Sequence, residues 1–171
     1  EAMKAGLYNV IGKEIDDAYM VELKKQIIHP EVIEEVANDI KIVYSPFNGT
    51  GNVPVRRILA ELGFKNVYVV KEQEMPDPNF TTLAYPNPED PEAFTLALKL
   101  AKEVDADVVL ATDPDADRLG IYAKDAKTGE YVPFTGNMSG MLIAEYIMRE
   151  RCATNTMPEN PALVKTIVTT N

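Results

Sequence analysis

The chain has 171 residues, 46% hydrophobic and 26% charged, which is the balance of one folded domain or of one domain with part of a second, so disorder is not the default reading. Its formal net charge of −10 argues against a nucleic-acid partner, because a polyphosphate backbone is held by a basic face. Cys152 is the only cysteine, so there is no internal disulfide and a cytoplasmic protein is expected; no apolar run approaches the ~20 residues that span a bilayer, so neither is a membrane partner.

The chain opens on "EAMKAGLYNV", with no initiator methionine and no signal pattern, which suggests a piece of a longer polypeptide. Ile15, Tyr19, Leu23 and Ile27 recur every fourth residue and predict an amphipathic helix with that face apolar. Pro30 begins a second helix over residues 30–38, its glutamates in and near the first turn. "KIVYS" (residues 41–45) reads as a short buried strand and "SPFNGTGNVP" as turn chemistry. "VPVRRILAELGF" is then a helix with Pro54 in its first turn and Gly63 as its stop. Residues 66–70 are β-branched and strand-like. A long connection rich in Pro, Asp and Asn leads to a helix with Phe94, Leu98 and Ala101 on one face, followed by the strand "ADVVLATD".

Strand, helix, strand, helix, strand in this order predicts an α/β fold, a three-layer α/β/α domain with a mainly parallel mixed sheet. "LGIYAKD" and "EYVPF" form an antiparallel hairpin at its edge, residues 136–151 a helix with Asn137 near its start, and residues 162–170 one more strand. The expected division is a metal-binding domain over residues 1–128. Residues 129–171 are expected to finish the hairpin and to open a next domain or dock on the first.

Residues 108–125 read "VVLATDPDADRLGIYAKD": Asp113, Asp115 and Asp117 alternate directly after an apolar run, and Arg118 follows. In an extended strand residues two apart stand about 6.6 Å apart, so Asp113 and Asp117 would be about 13 Å apart. Oxygens on one Mg²⁺ lie about 2.1 Å from it, so the three carboxylates share an ion only if the backbone curls. Pro114 cannot extend the hydrogen-bond ladder, and the small Ala116 leaves room for a tight loop. Carboxylates brought that close raise one another's pKa values unless a cation satisfies them, and a hard divalent ion such as Mg²⁺ does so. Arg118 beside it is placed to hold a phosphate oxygen. The loop ends a parallel strand, where open α/β sheets bind ligands. The competing reading is a solvated acidic turn. An EF-hand would need glycine at Arg118 and glutamate at Lys124, and an aspartyl-nucleophile phosphatase would want Thr or Val near Asp117.

"SPFNGTGN" joins a strand to a helix, the arrangement that offers free backbone N–H groups to an anion, so Asn48, Gly49, Thr50 and Gly51 are candidate phosphate-binding residues. No Gly-Lys-Ser/Thr follows, which excludes a Walker loop, and Pro54 occupies the third glycine position of a dinucleotide fingerprint. A tight structural turn is the alternative. His29 has no neighbour to orient it as a base and is expected to be structural or solvated. Ser45 and Ser139, the only serines, lack activating partners, and Cys152 at a helix end has no supporting constellation. Met138, Met141 and Met148 fit helix packing. No residue is a convincing covalent nucleophile.

Taken together, "SPFNGTGNVPVRRILAELGF", "YPNPEDPEAF", "ATDPDADRLGIY" and "FTGNMSGMLIAEYI" resemble the α-D-phosphohexomutases, the phosphoglucomutase and phosphomannomutase family, over most of the chain from about residue 41. Pro114 and the pair Gly136 and Asn137 look most like the phosphoglucomutase and phosphopentomutase branch. The resemblance implies a four-domain enzyme of which this chain is the second, metal-binding domain and the start of the third. It implies that Asp113, Asp115 and Asp117 bind Mg²⁺ and that Arg118 assists at the phosphate. It also implies a phosphoserine in the first domain, which exchanges its phosphoryl group with a sugar phosphate through a sugar bisphosphate. Many members carry histidine where Asn48 stands, which removes a proton-carrying side chain from that position. The Ser-His-Asn-Pro context of the phosphoserine and the later Gly-Glu sugar loop are absent, so the chain by itself is expected to be inactive. A self-contained, non-catalytic metal- or phosphate-binding module is the alternative.

Overall fold

The computed structural model describes residues 1–169; Thr170 and Asn171 lie outside the described residues. Its strands are β1 (Lys41–Ser45), β2 (Asn66–Val69), β3 (Val108–Thr112), β4 (Leu119–Lys124) and β5 (Tyr131–Phe134). They lie side by side in the order β2-β1-β3-β4-β5. β1 pairs parallel with both β2 and β3, Val43 standing opposite Tyr68 on one side and Val109 on the other. The β3–β4 and β4–β5 pairings are antiparallel. The expected α/β fold is therefore present, three parallel strands continued by the hairpin at one edge. Pro133 is tolerated in β5 because an edge strand needs only one ladder of hydrogen bonds.

The helices are α1 (Lys13–Lys24), α2 (Pro30–Val36), α3 (Asn52–Glu61), α4 (Thr95–Val104) and α5 (Gly136–Ala153). Alternation along β1 sends Val43 to one face of the sheet and Ile42 and Tyr44 to the other, and all three are buried. On the first face Val43, Val109 and Ala111 pack with Phe94, Ala97 and Ala101 in one core cluster. The two alanines, one helical turn apart, let α4 lie close to the strands. The Phe94 ring sits between Phe47 and Tyr122 at centroid distances of 5.7 and 4.7 Å. Burying a side chain of that size contributes about 1.5–3 kcal/mol. The helix predicted around Phe94 begins as a 3-10 turn over Pro91–Phe94 before α4 proper. α3 stops where expected: Gly63 takes φ +95, a left-handed conformation that glycine adopts without steric cost.

The order of the strands creates a switch point. From β1 the chain crosses through α3 to β2 on one side, then through α4 to β3 on the other, so the carboxyl ends of β1 and β3 lie side by side where the two crossovers diverge.

Two expectations are corrected. On α1, Ile15 and Tyr19 are exposed and Met20 is the buried residue, because the helix is tied to α3 by charge: Lys24 to Glu61 at 2.6 Å and Asp17 to Arg57. The strand expected over residues 162–170 is not formed across residues 162–169, and Thr170 lies outside the described residues. A strand needs a hydrogen-bonded neighbour, and here Leu163, Val164, Ile167 and Val168 are exposed. The start of α5 is capped by Thr135, whose hydroxyl accepts from the Met138 N–H at 3.2 Å, while the Asn137 side chain donates to the Val168 carbonyl at 3.2 Å. Among the described residues no helix is long and apolar enough to cross a membrane.

Candidate metal centre

The acidic run leaves β3 at the switch point and curls at once. Ala116 takes φ +61, and its N–H donates to the Asp113 carbonyl at 3.0 Å, closing a turn around Pro114 and Asp115. The Arg118 N–H then donates to Asp113 Oδ1 at 2.9 Å, which holds the far end of the loop against its start. Three carboxylates that an extended strand would spread now offer oxygens that all lie within 4.8 Å of one another. Two ligands of one Mg²⁺ stand at most about 4.2 Å apart, so small rotations of the exposed Asp115 and Asp117 bring the set to an ion, while Asp113 is buried and fixed. The charges of Asp115 first, and of Asp113, hold the Asp117 carboxyl above the usual carboxylate range. A cation placed among the three carboxylates would relieve that repulsion. Arg118 is half-exposed, its Nε 3.9 Å from Asp113 and 4.0 Å from Asp117, beyond hydrogen-bonding distance and free to reach an anion above the loop.

The loop after β1 lies directly against it. Thr50 donates to the Pro114 carbonyl from its N–H at 2.9 Å and from its hydroxyl at 3.2 Å. A Cβ at position 49 would fall 2.4 Å from Pro114 Cα, so only glycine permits the approach. Gly51 is constrained from the other side by Thr112 Oγ1 and the Tyr44 hydroxyl, each 2.6 Å from where its Cβ would be. Those two groups are hydrogen-bonded to each other at 2.8 Å beneath the junction of the loops. The expected cradle of free N–H groups is not found at three of its positions: Asn48 donates to Gln73 O, Gly49 to Pro46 O and Thr50 to Pro114 O. The glycines serve close backbone contact, and the loop braces the carboxylates from below.

The sequence reading missed what stands behind this brace. Gln73, fully buried, accepts from Ser45 Oγ at 2.6 Å, and the Asn48 amide donates to Met75 O at 2.7 Å. The signal available was a polar triplet, Glu72, Gln73 and Glu74, set two residues after a half-buried strand. His29 is structural, but its orientation is fixed. Its Nδ1 meets Glu31 at 2.6 Å and its Nε2 meets Glu150 on α5 at 3.0 Å, a partner 121 residues away that local sequence could not reveal. Cys152 is exposed and unpaired.

Three carboxylates clustered in a switch-point loop, with an arginine beside them, mark an α/β domain with a group of side chains that could hold a cation. Residues 17–129 match the family model described as phosphoglucomutase/phosphomannomutase, alpha/beta/alpha domain II. The chain belongs to that family. It is 36% identical over 165 residues to a phosphoglucomutase of Staphylococcus saprophyticus, covering 96% of this chain and 28% of that protein. It is 34% identical over 151 residues to a phosphoribomutase of Saccharomyces cerevisiae, covering 85% and 24%. The crystal structure of a Thermus thermophilus protein assigned as a phosphomannomutase shares the fold, with a TM-score of 0.63 over 80% of this chain and 29% of that one at 22% identity. The chain thus spans about a quarter of the length of the curated relatives it matches.

Proposed function

We propose that this chain is the metal-binding domain of a phosphosugar mutase of the phosphoglucomutase/phosphomannomutase type, a cytoplasmic enzyme that shifts a phosphoryl group between the 1-position and the 6- or 5-position of a sugar. The observation that carries the reading is the convergence of Asp113, Asp115 and Asp117 within 4.8 Å at the β1/β3 switch point. These three side chains would hold Mg²⁺, which when bound neutralises charge on a phosphoryl group. Arg118, reaching past the carboxylates, binds and orients a phosphate oxygen. The loop over residues 48–51 keeps the carboxylate loop in place through its contacts with Pro114. Among the described residues no side chain is placed to take the phosphoryl group, which fits a phosphoserine supplied by another domain of the same polypeptide and a sugar bisphosphate passing between them. In this reading residues 1–128 form the metal-binding domain, and residues 129–171 close its hairpin and lead into the next.

The isolated chain then binds Mg²⁺ and turns over nothing. Calorimetry with Mg²⁺, and coupled assays with glucose, mannose, glucosamine and ribose 1-phosphates, test both halves. Measurable mutase activity in the 171-residue chain would place the phosphoryl acceptor within it and overturn the assignment. The same panel on the full-length polypeptide identifies the sugar.

A further inference from the structure

Two successive non-glycine residues in the brace, Phe47 and Asn48, have φ of +46 and +59. Left-handed backbone is strained at a bulky residue such as Phe47, though tolerated by asparagine, and it persists there only where its surroundings impose it. Here the surroundings are the 3-10 turn Lys71–Gln73 and the residues after it. Gln73 O accepts from the Asn48 N–H at 2.9 Å. Gln73 Oε1 accepts from Ser45 Oγ at 2.6 Å, and the same Oγ accepts from the Phe47 N–H at 3.3 Å. Asn48 Nδ2 donates to Met75 O at 2.7 Å, and Asn52 Nδ2 to Glu74 O at 2.8 Å. One residue, through its main chain and its side chain, thus grips both left-handed positions.

We propose that Gln73 is a positioning residue for the carboxylate loop, acting through the Phe47–Asn48 turn and the Thr50–Pro114 contact rather than by touching a ligand. The path is short and continuous. The turn aims Gly49 and Thr50 at Pro114, and Pro114 lies between Asp113 and Asp115. Packing alone gives no reason for a glutamine here. Its side chain is completely buried, and its Nε2 has no protein partner among the described residues, so apolar side chains at both position 73 and its partner Ser45 would serve stability better. The affinity part of the inference rests on the reading of the three aspartates as a Mg²⁺ site.

The test is Gln73→Leu in the full 171-residue chain, with two readouts. Without metal, amide exchange at Thr50 and Arg118 rises about tenfold while Tyr122 in β4 keeps wild-type protection; Mg²⁺ affinity by calorimetry falls about tenfold, the range typical of residues that orient metal ligands. The double variant Ser45→Ala/Gln73→Leu removes both polar partners and recovers stability, but neither loop protection nor affinity. Wild-type exchange at Thr50 and Arg118 in folded Gln73→Leu overturns the proposal, and so does affinity restored along with stability in the double variant. If Gln73→Leu does not fold, Ser45→Ala cuts the same link and carries the same expectations. A wild-type chain that binds no Mg²⁺ overturns the metal reading instead, and the exchange data then decide the positioning of the loop by themselves.

Discussion

A methyl group at position 49 would sit 2.4 Å from Pro114 Cα and 2.5 Å from its carbonyl oxygen, both backbone atoms that cannot swing aside. Gly49→Ala therefore forces the two loops apart, and the expected destabilisation is about 1–3 kcal/mol in urea unfolding, with weaker Mg²⁺ binding. Unchanged stability would mean that the loops separate freely and that the brace is not rigid. Asp115 acts in the opposite sense. Its charge is the first cause of the raised Asp117 pKa, so in the metal-free chain repulsion grows as pH rises through that raised value and is absent below the ordinary carboxylate range. Asp115→Asn should raise the metal-free thermal midpoint at neutral pH and lower Mg²⁺ affinity at least tenfold. A lower midpoint at neutral pH would show that Asp115 stabilises the loop rather than straining it. The clustering of the carboxylates and the place of Arg118 were legible in the sequence because spacing, Pro114 and Ala116 together favoured a curl. The role of Asn48, Gly49 and Thr50 was not, since a free N–H and one donating to Pro114 O look the same in a sequence.

Among the elements, those whose hydrogen-bond partners lie nearby in the sheet were read to within a residue or two, as for β1 and β3. The exception over residues 162–169 has the same cause: β propensity was present, but no neighbouring strand. α5 was recognised as a helix, while its docking was invisible because it runs through His29. Glu31, and then Glu150, raise the His29 pKa, with Tyr146 edge-on to the ring and Arg149 competing for Glu150 at 2.7 Å. A raised folded-state pKa means that the charged imidazole contributes fully below its unfolded value, near pH 6.5, and that the contribution is lost as pH rises through the folded value. Protection of α5 amides, corrected for intrinsic exchange, should fall across that interval in the wild type and stay flat in His29→Gln. The same pH dependence in both would remove His29 from the docking.

At the scale of the whole molecule, the sheet order, the switch point and the two touching loops make a platform that carries the three clustered carboxylates, while the chain spans about a quarter of its curated relatives. The mutase reading therefore stands or falls on whether the platform binds metal without the rest of an enzyme around it. The direct measurement is calorimetric titration of Mg²⁺ into the wild-type chain and into Asp115→Ala, with circular dichroism to confirm that both are folded. One weak site in the wild type, lost in Asp115→Ala, is the predicted result. No binding by the folded wild type, or binding that survives Asp115→Ala, would contradict it.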